Sequence, residues 1–237
     1  MTDGHDEDFE DLDGFDEQSS GDAGGAMPEK PRCGFVALVG APNAGKSTLL
    51  NAMVGSKVSI VSSKVQTTRT RVLGITIDGD SQIIFVDTPG IFKPKRRLDR
   101  AMVQAAWQGA EDADLVGVLY DVSRRGIDDD THGIIARLKE QGRKAILILN
   151  KIDLVPREKL LGLADTFNQE GIFTDIFMLS ASTGDGVEHL RRFLAERMPE
   201  GPWHYPEDQI SDMPMRLLAA EITREKLFQQ LHQELPY

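Results

Sequence analysis

The tightest constraint on how this chain can fold is the stretch Phe35 to Val54, FVALVGAPNAGKSTLLNAMV. An apolar run of strand length meets a glycine-rich turn, Gly40 to Ser47, and then a segment of helical character. That order is what a phosphate-binding loop between a strand and a helix requires. Gly40 and Gly45 let consecutive backbone N–H groups turn inward at the positive end of the helix, making a concave anion site. Lys46 would bring a point charge to the β- and γ-phosphates, and the Ser47 hydroxyl would ligate Mg²⁺. The pattern G-x-x-x-x-G-K-[ST] is short enough to arise by accident as a plain strand-to-helix turn, so the rest of the chain has to decide.

Downstream, short apolar runs alternate with amphipathic stretches, the signature of α/β layers. Strands are predicted at Val72 to Asp78, Gln82 to Asp87, Leu115 to Asp121, Ala145 to Asn150 and Ile176 to Ser180, the first two as an antiparallel hairpin across Gly79-Asp80. Helices are predicted over Lys46 to Val54, Leu98 to Gly109, Asp128 to Gln141, Pro156 to Asn168 and Gly186 to Met198, the second with Leu98, Met102, Ala105 and Ala106 on its apolar side. The expectation is a doubly wound, mostly parallel six-stranded sheet with about five helices and one antiparallel edge strand. Ser56 to Arg71 lacks a sustained period and reads as a long loop.

The formal charge of −11 is local. Residues 1–29 hold seven Asp and four Glu without a Lys or Arg, which accounts for all of it. This Gly- and Ser-containing segment, residues 1–30, is predicted to be a disordered acidic tail, and it resembles neither a signal nor a transit peptide. A single cysteine, Cys33, excludes a disulfide framework and suits a reducing compartment. No apolar run nears the roughly 20 residues that a membrane-spanning helix needs. Residues 31–199 read as one domain. The proline-rich 200–208 reads as a linker, and 209–237 as the start of another unit whose helix, Met215 to Leu231, offers Leu217, Leu218, Ile222, Leu227 and Leu231 for burial.

Three further motifs fall at predicted strand tips. Asp87-Thr88-Pro89-Gly90 matches D-x-x-G: the carboxylate can hold a Mg²⁺ shell through water, and the Gly90 N–H can approach a γ-phosphate without a Cβ in the way. Asn150-Lys151-Ile152-Asp153 matches N-K-x-D. Asp153 can accept two hydrogen bonds from N1–H and the exocyclic amine of guanine, a pattern adenine cannot offer, while Asn150 bonds base and loop and Lys151 packs over the ring. Ser180-Ala181-Ser182 would present the Ala181 N–H to guanine O6. Four motifs in this order predict a guanine nucleotide cradled by Gly40, Ala41, Pro42, Asn43, Ala44, Gly45, Lys46, Ser47 and Thr48 together with these three turns. Lys46, Asn43, Thr68 and Gly90 are the expected catalytic group, and Ser47, Thr68 and Asp87 (through water) the metal set. Thr68, rather than Thr67, is expected to complete the Mg²⁺ shell from the loop Ser56 to Arg71, which, with Gly90 to Arg97, would order around the γ-phosphate and release after hydrolysis.

These residues, with GAPNAGKSTLLNAMVG, VSIVSSKVQTTRTRVLGI, FVDTPGIF, LNKIDLV and the late AAEITREKLFQQLHQELPY, resemble the Era family of bacterial ribosome-assembly GTPases. The resemblance runs from about Gly34 to the end of the chain. It implies a GTPase domain followed by a KH domain binding the 3′ end of small-subunit rRNA within the 30S particle, a monomer in the cytoplasm, and peripheral association with the inner membrane. The sequence departs from that pattern in ending where a KH domain has begun, without its G-x-x-G loop, so a truncated product is expected.

Ile91 follows D-T-P-G where related GTPases carry a water-orienting glutamine. The expectation is that backbone and switch residues position the water, with K⁺ held partly by Asn43 offsetting charge. Arg69, Arg71 and the basic run Lys93 to Arg97 read as a solvated face that could include a charge-stabilising residue. The function expected is slow GTP hydrolysis to GDP and phosphate. The alternatives are a nucleotide-gated binding module with negligible hydrolysis and, on the strength of the tail, an adaptor.

Overall fold

The structure, a computed structural model, describes residues 28–61, 72–92 and 97–230. Within these, twelve elements follow one another: β1 (Arg32–Gly40), α1 (Lys46–Val54), β2 (Val72–Asp78), β3 (Ser81–Asp87), α2 (Arg97–Glu111), β4 (Leu115–Asp121), α3 (Asp129–Glu140), β5 (Ala145–Asn150), α4 (Arg157–Asn168), β6 (Phe173–Leu179), α5 (Val187–Arg197) and α6 (Met215–Gln230). The acidic tail through Met27, most of the loop Ser56 to Arg71 with Thr67 and Thr68, the basic stretch Lys93 to Arg96 and the segment from Leu231 lie outside the described residues.

The six strands form one sheet in the order β2-β3-β1-β4-β5-β6. All neighbours are parallel except β2 and β3, so the expected antiparallel edge strand is β2. The register pairs Leu38 with Asp87, Gly40 with Leu119, Asp121 with Asn150 and Asn150 with Leu179. One edge of the sheet therefore collects the carboxyl ends of five strands.

Alternation along β1 feeds two cores. Val36 and Leu38 pack with Leu49, Leu50 and Met53 of α1 and Leu190 and Leu194 of α5. Ala37 and Val39 face the other way, toward Ala106, Trp107, Ala110, Ile134 and Leu138. This is the two-residue period of a strand covered on both faces, and each large side chain so buried contributes about 1.5–3 kcal/mol. The start of α3 is fixed by Asp128, whose side chain accepts the Thr131 N–H at 2.9 Å, with Asp129 and Asp130 in the first turn and Arg137 and Lys139 in the last.

Three expectations need correction. On α2 the buried face is Ala106, Trp107 and Ala110, while Ala105 is exposed. The alanines carry too little hydrophobic contrast to set the phase of the helix, and Trp107 sets it. β6 begins at Phe173 rather than Ile176, because Phe173 packs edge-on against Phe167 of α4 at 5.9 Å. On α6, Leu217 and Leu227 are 50% and 44% exposed, whereas Glu225 is buried and paired with Lys57.

The proline-rich segment after α5 lies on the sheet. Cys33 N–H donates to Pro199 O at 3.0 Å and the Trp203 indole to Asp80 O at 3.1 Å. The side chain of Gln82, fully buried, accepts the His204 and Tyr205 N–H groups at 2.9 and 3.0 Å and donates to Tyr205 O at 2.8 Å. Further on, Ser211 forms an antiparallel bridge with Gly74, and Ile75 N–H donates to Ile210 O at 2.9 Å. The exposed edge of β2 is thus paired, which removes a template for aggregation. Among the described residues no helix is long and apolar enough to cross a membrane.

Replacing Gln82 by Leu would strand three backbone groups of the strap. Gln82→Leu is expected to cost roughly 1–3 kcal/mol in urea unfolding and to open residues 199–212 to limited proteolysis; an unchanged midpoint and cleavage pattern would show that the strap is held elsewhere.

Candidate functional site

The loop from Gly40 to Ser47 connects β1 to α1, and two of its residues have left-handed backbone, Asn43 at φ 62° and Gly45 at φ 97°. At Gly45 a side chain is excluded twice: by φ, and because a Cβ would stand 2.2 Å from Asn150 Nδ2. Lys46 follows at the first helical position with its Nζ turned back into the loop, donating to Gly40 O at 3.0 Å and Ala41 O at 3.2 Å. The side chain is 7% exposed. Burial pushes its ammonium down from 10.5 to about 8, with Asp87 opposing that fall and Arg124 adding to it.

Asp87 is fully buried at the tip of β3. Its Oδ2 accepts the Ser47 hydroxyl at 2.8 Å and the Ser59 hydroxyl at 2.8 Å. Ser59 was not among the expected residues. Asn51 of α1 holds it by accepting the Val58 and Ser59 N–H groups at 2.9 Å each and donating to Ser59 O at 2.8 Å. An Asn one helical turn after the Lys-Ser pair is the only hint of this arrangement in the sequence. A carboxylate with two hydroxyls is a set of hard oxygen donors, which fits Mg²⁺. Thr48 is half-buried on α1.

The D-T-P-G turn lies directly on the loop. Thr88 Oγ1 donates to Leu38 O at 2.8 Å and Ile91 N–H to Gly40 O at 3.0 Å. Pro89 is buried. A Cβ on Gly90 would meet Pro42 Cα at 3.1 Å, so the two turns approach closely only because Gly90 has none. Ile91 is buried in the core over β1 and β4, as an apolar replacement for glutamine should be.

The N-K-x-D turn closes the other side. Asn150 is buried, donating to Ala44 O at 2.9 Å and accepting the Lys151 and Ala181 N–H groups at 2.8 and 3.0 Å. It ties three loops together. Asn150 was expected to bond base and loop, and its contact with Ala44 O is the loop half of that; the Ala181 N–H, expected to face guanine O6, donates to Asn150 Oδ1 in this structure. The geometry of the S-A-S turn, with Ser180 and Ser182 hydroxyls 3.0 Å apart, locks it to the asparagine. Lys151, at φ 68°, donates to Asn43 O at 2.9 Å and to Asp121 Oδ2 at 2.6 Å. Burial would raise the Asp121 carboxyl, but Lys151 and Ser123 outweigh it and hold it below the usual carboxylate range. Asp153 stands exposed on a single 3-10 turn, Ile152–Leu154.

Every expected residue within the described regions thus gathers at one sheet edge; Thr68 lies outside them. Missed by sequence reasoning were Ser59, Asn51, Asp121 and Arg124, whose guanidinium reaches Pro42 O at 2.5 Å.

Residues 35–151 match the family described as 50S ribosome-binding GTPase. GTPase Era of Bradyrhizobium sp. (strain ORS 278) is 65% identical over 206 residues, covering 87% of this chain and 67% of that protein. The chain belongs to the GTPase Era family. It is a GTP-binding GTPase. A solved Era in complex with MgGDPNP and nucleotides 1506–1542 of 16S ribosomal RNA superposes with a TM-score of 0.81 at 42% identity, covering 87% of this chain and 70% of that one. A single-site variant of Aquifex aeolicus Era bound to GDP·AlF4⁻ gives 0.80 at 41%, over 86% and 70%. The chain spans about two thirds of the length of these Era relatives.

The buried Lys46 makes stability depend on pH in a definite direction. Below about 8 the ammonium is charged in both states and the folded state carries the whole desolvation cost; between about 8 and 10.5 only the unfolded chain holds the proton, so stability rises with pH. Lys46→Met is therefore expected to raise nucleotide-free stability at pH 7 by on the order of 1–3 kcal/mol, an advantage that shrinks towards pH 10. Thermal unfolding of both proteins across that range checks it, and a Lys46→Met variant less stable at pH 7 would contradict it.

Proposed function

We propose that this GTPase turns over GTP at the edge formed by β1, β3, β4, β5 and β6, and that its nucleotide state serves as a switch in small-subunit ribosome assembly. One observation carries the reading: a buried Lys46, the Asp87–Ser47 pair and the Asn150–Asp153 turn converge on one loop. In this reading the N–H groups of Gly40 to Thr48 and the Lys46 ammonium hold the phosphates, and Gly90 meets the γ-phosphate. Asp153 reads N1–H and the exocyclic amine of guanine, with Asn150 and the Ser180 to Ser182 turn shaping the base pocket around Ala181.

Ser47, Asp87 through water, and Thr68 would hold Mg²⁺. Bound there, Mg²⁺ would supply positive charge to offset that developing on the phosphates. Since Ile91 belongs to the core, the attacking water is oriented by backbone and by the switch residues. K⁺ held partly by Asn43 is the proposed counter-charge; equal turnover in NaCl and KCl, with full activity in Asn43→Ala, would remove it.

The domain reading is a GTPase domain over 31–199, a linker over 200–208 and the first part of a KH-type RNA-binding domain over 209–237. The solved Era bound to a 16S rRNA fragment supports the RNA partner, and favours the small subunit over the 50S particle in the family description. The proposed setting is a cytoplasmic monomer with peripheral contact to the inner membrane. The second reading, a nucleotide-gated binding module with negligible hydrolysis, is separated by single-turnover phosphate release.

Two measurements test the proposal. Asp153→Asn is expected to move preference from GTP towards XTP by at least about tenfold, since the amide now donates where the carboxylate accepted; unchanged selectivity would remove the base-reading assignment. GTP hydrolysis with and without a 16S 3′-end fragment, repeated on a chain extended by the third its relatives carry, should show RNA dependence in the longer protein.

A further inference from the structure

The geometry points to Arg124 as a positioning residue for the phosphate loop: its guanidinium fixes the peptide between Pro42 and Asn43 so that the Asn43 N–H stays turned into the phosphate concavity. This rests on the reading of Gly40 to Ser47 as the GTP-phosphate site.

Arg124 lies in the turn between β4 and α3. One arm of its fork, Nη2, donates to Pro42 O at 2.5 Å; the other, Nη1, pairs with Asp128 Oδ2 at 2.6 Å. Asp128 is itself anchored, since its Oδ1 caps α3 through the Thr131 N–H. The turn is anchored from behind by Lys159 of α4, which donates to Val122 O at 2.7 Å and Arg124 O at 3.1 Å. The guanidinium therefore approaches the loop from two rigid helices.

In a trans peptide the carbonyl and the following N–H point in opposite directions. Drawing Pro42 O outward to Arg124 turns the Asn43 N–H the other way. Proline has no N–H, so this carbonyl is the only polar backbone group by which residue 42 can be held. The next carbonyl, Asn43 O, is drawn out in the same manner by Lys151 Nζ at 2.9 Å. Two cations on successive carbonyls hold Asn43 in its left-handed conformation at φ 62°, which a non-glycine residue adopts at a cost of about 1 kcal/mol or more. Pro42 is also the residue against which Gly90 packs, so its placement sets the distance between the loop and the D-T-P-G turn. Arg124 further adds positive potential at Lys46, in keeping with its closeness to the phosphate end of the site. A lysine offers its donors from one nitrogen, whereas the planar fork of arginine presents separate nitrogens in fixed geometry, one to the carbonyl and one to the carboxylate.

Steady-state GTP hydrolysis, GDP affinity by calorimetry and nucleotide-free melting are measured for wild type, Arg124→Lys and Arg124→Gln, with Lys46→Ala alongside. Arg124→Gln is expected to lower kcat about tenfold or more while KM and GDP affinity change less than about threefold, since a slightly misplaced loop affects the reacting geometry most. Arg124→Lys should recover part of kcat. A kcat within twofold of wild type in Arg124→Gln overturns the inference, as does a loss that follows melting temperature without recovery in Arg124→Lys, which would mark Arg124 as a brace for α3 alone. Lys46→Ala separates the two levels: if it still binds GTP, the phosphate-site reading fails, whereas if it loses GTP and Arg124→Gln behaves as wild type, only the role of Arg124 falls.

Discussion

A lysine ammonium withdrawn from water at the edge of a parallel sheet is the constraint on which the rest of this molecule depends. Burying such a charge costs several kcal/mol even after relaxation. The protein returns part of it through two carbonyls, Gly40 O and Ala41 O, and through the field of Asp87. That arrangement needs β1 to end at Gly40 with β3 beside it, so that Asp87 sits level with Leu38, and with β4 on the other side. It also needs Gly45 in a conformation that turns the chain straight into α1. The remainder of the cost is left for an anion, which in the proposed function is the phosphates of GTP. The site is thus built in an incompletely satisfied state that its ligand completes, and the sheet order is what makes this possible.

Much of this was legible in the sequence because the relevant signals are local. Strand tips announce themselves where an apolar run stops at Gly40, Asp87, Asn150 or Ser180, and a parallel sheet places those tips along one edge. The sheet, its antiparallel edge strand and the gathering of the four motifs follow from that. What the sequence left dark is whatever depends on contacts between distant segments. Nothing in D-V-S-R-R-G says that Arg124 reaches Pro42, because both partners are ordinary residues and one contributes only its carbonyl. Gln82 looks like a polar residue at a strand position, yet it is buried because the strap, more than a hundred residues later, brings backbone groups to it. On α2, Ala106 is buried as expected and Ala105 is not, because an alanine carries too little hydrophobic contrast to set the phase beside Trp107. Sequence shows that Asn150 and Ala181 lie at neighbouring turns but not that they hydrogen-bond each other.

The loops of the site are held by one another more than by their parent strands. Asn150 ties the Gly40 to Ser47 loop to the turn at Ala181, Lys151 ties that loop to the tip of β4, and Asn51 fixes the beginning of the segment that carries Ser59. In each case a side chain satisfies backbone groups that a turn leaves without ladder partners, which is how buried loops escape the penalty of unpaired polar groups. The same ties couple the parts of the site: Gly90 packs on Pro42, and the Pro42 peptide leads into Asn43, so a shift at one is passed to the next.

The C-terminal segment meets this network at both ends of the loop that follows α1. Lys57, two residues before Ser59, pairs with the buried Glu225 of α6. Leu73 to Ile75, at the start of β2 where that loop returns, bond Ile210 to Asp212: Leu73 N–H donates to Asp212 Oδ1 at 3.1 Å and Ser211 Oγ to Leu73 O at 2.8 Å. The attachment is polar at both points, which is why α6 can leave Leu217 and Leu227 half-exposed and still be held against the nucleotide domain. Only Glu225 is enclosed in this pair, the Lys57 side chain being 43% exposed, so it is the carboxylate that depends on the partner's position. Apolar packing slides at little cost; hydrogen bonds and charge pairs do not. Displacement of β2 or of Lys57 is therefore felt by the C-terminal segment as broken polar contacts, and the loop between them is bounded on each side by residues that this segment touches.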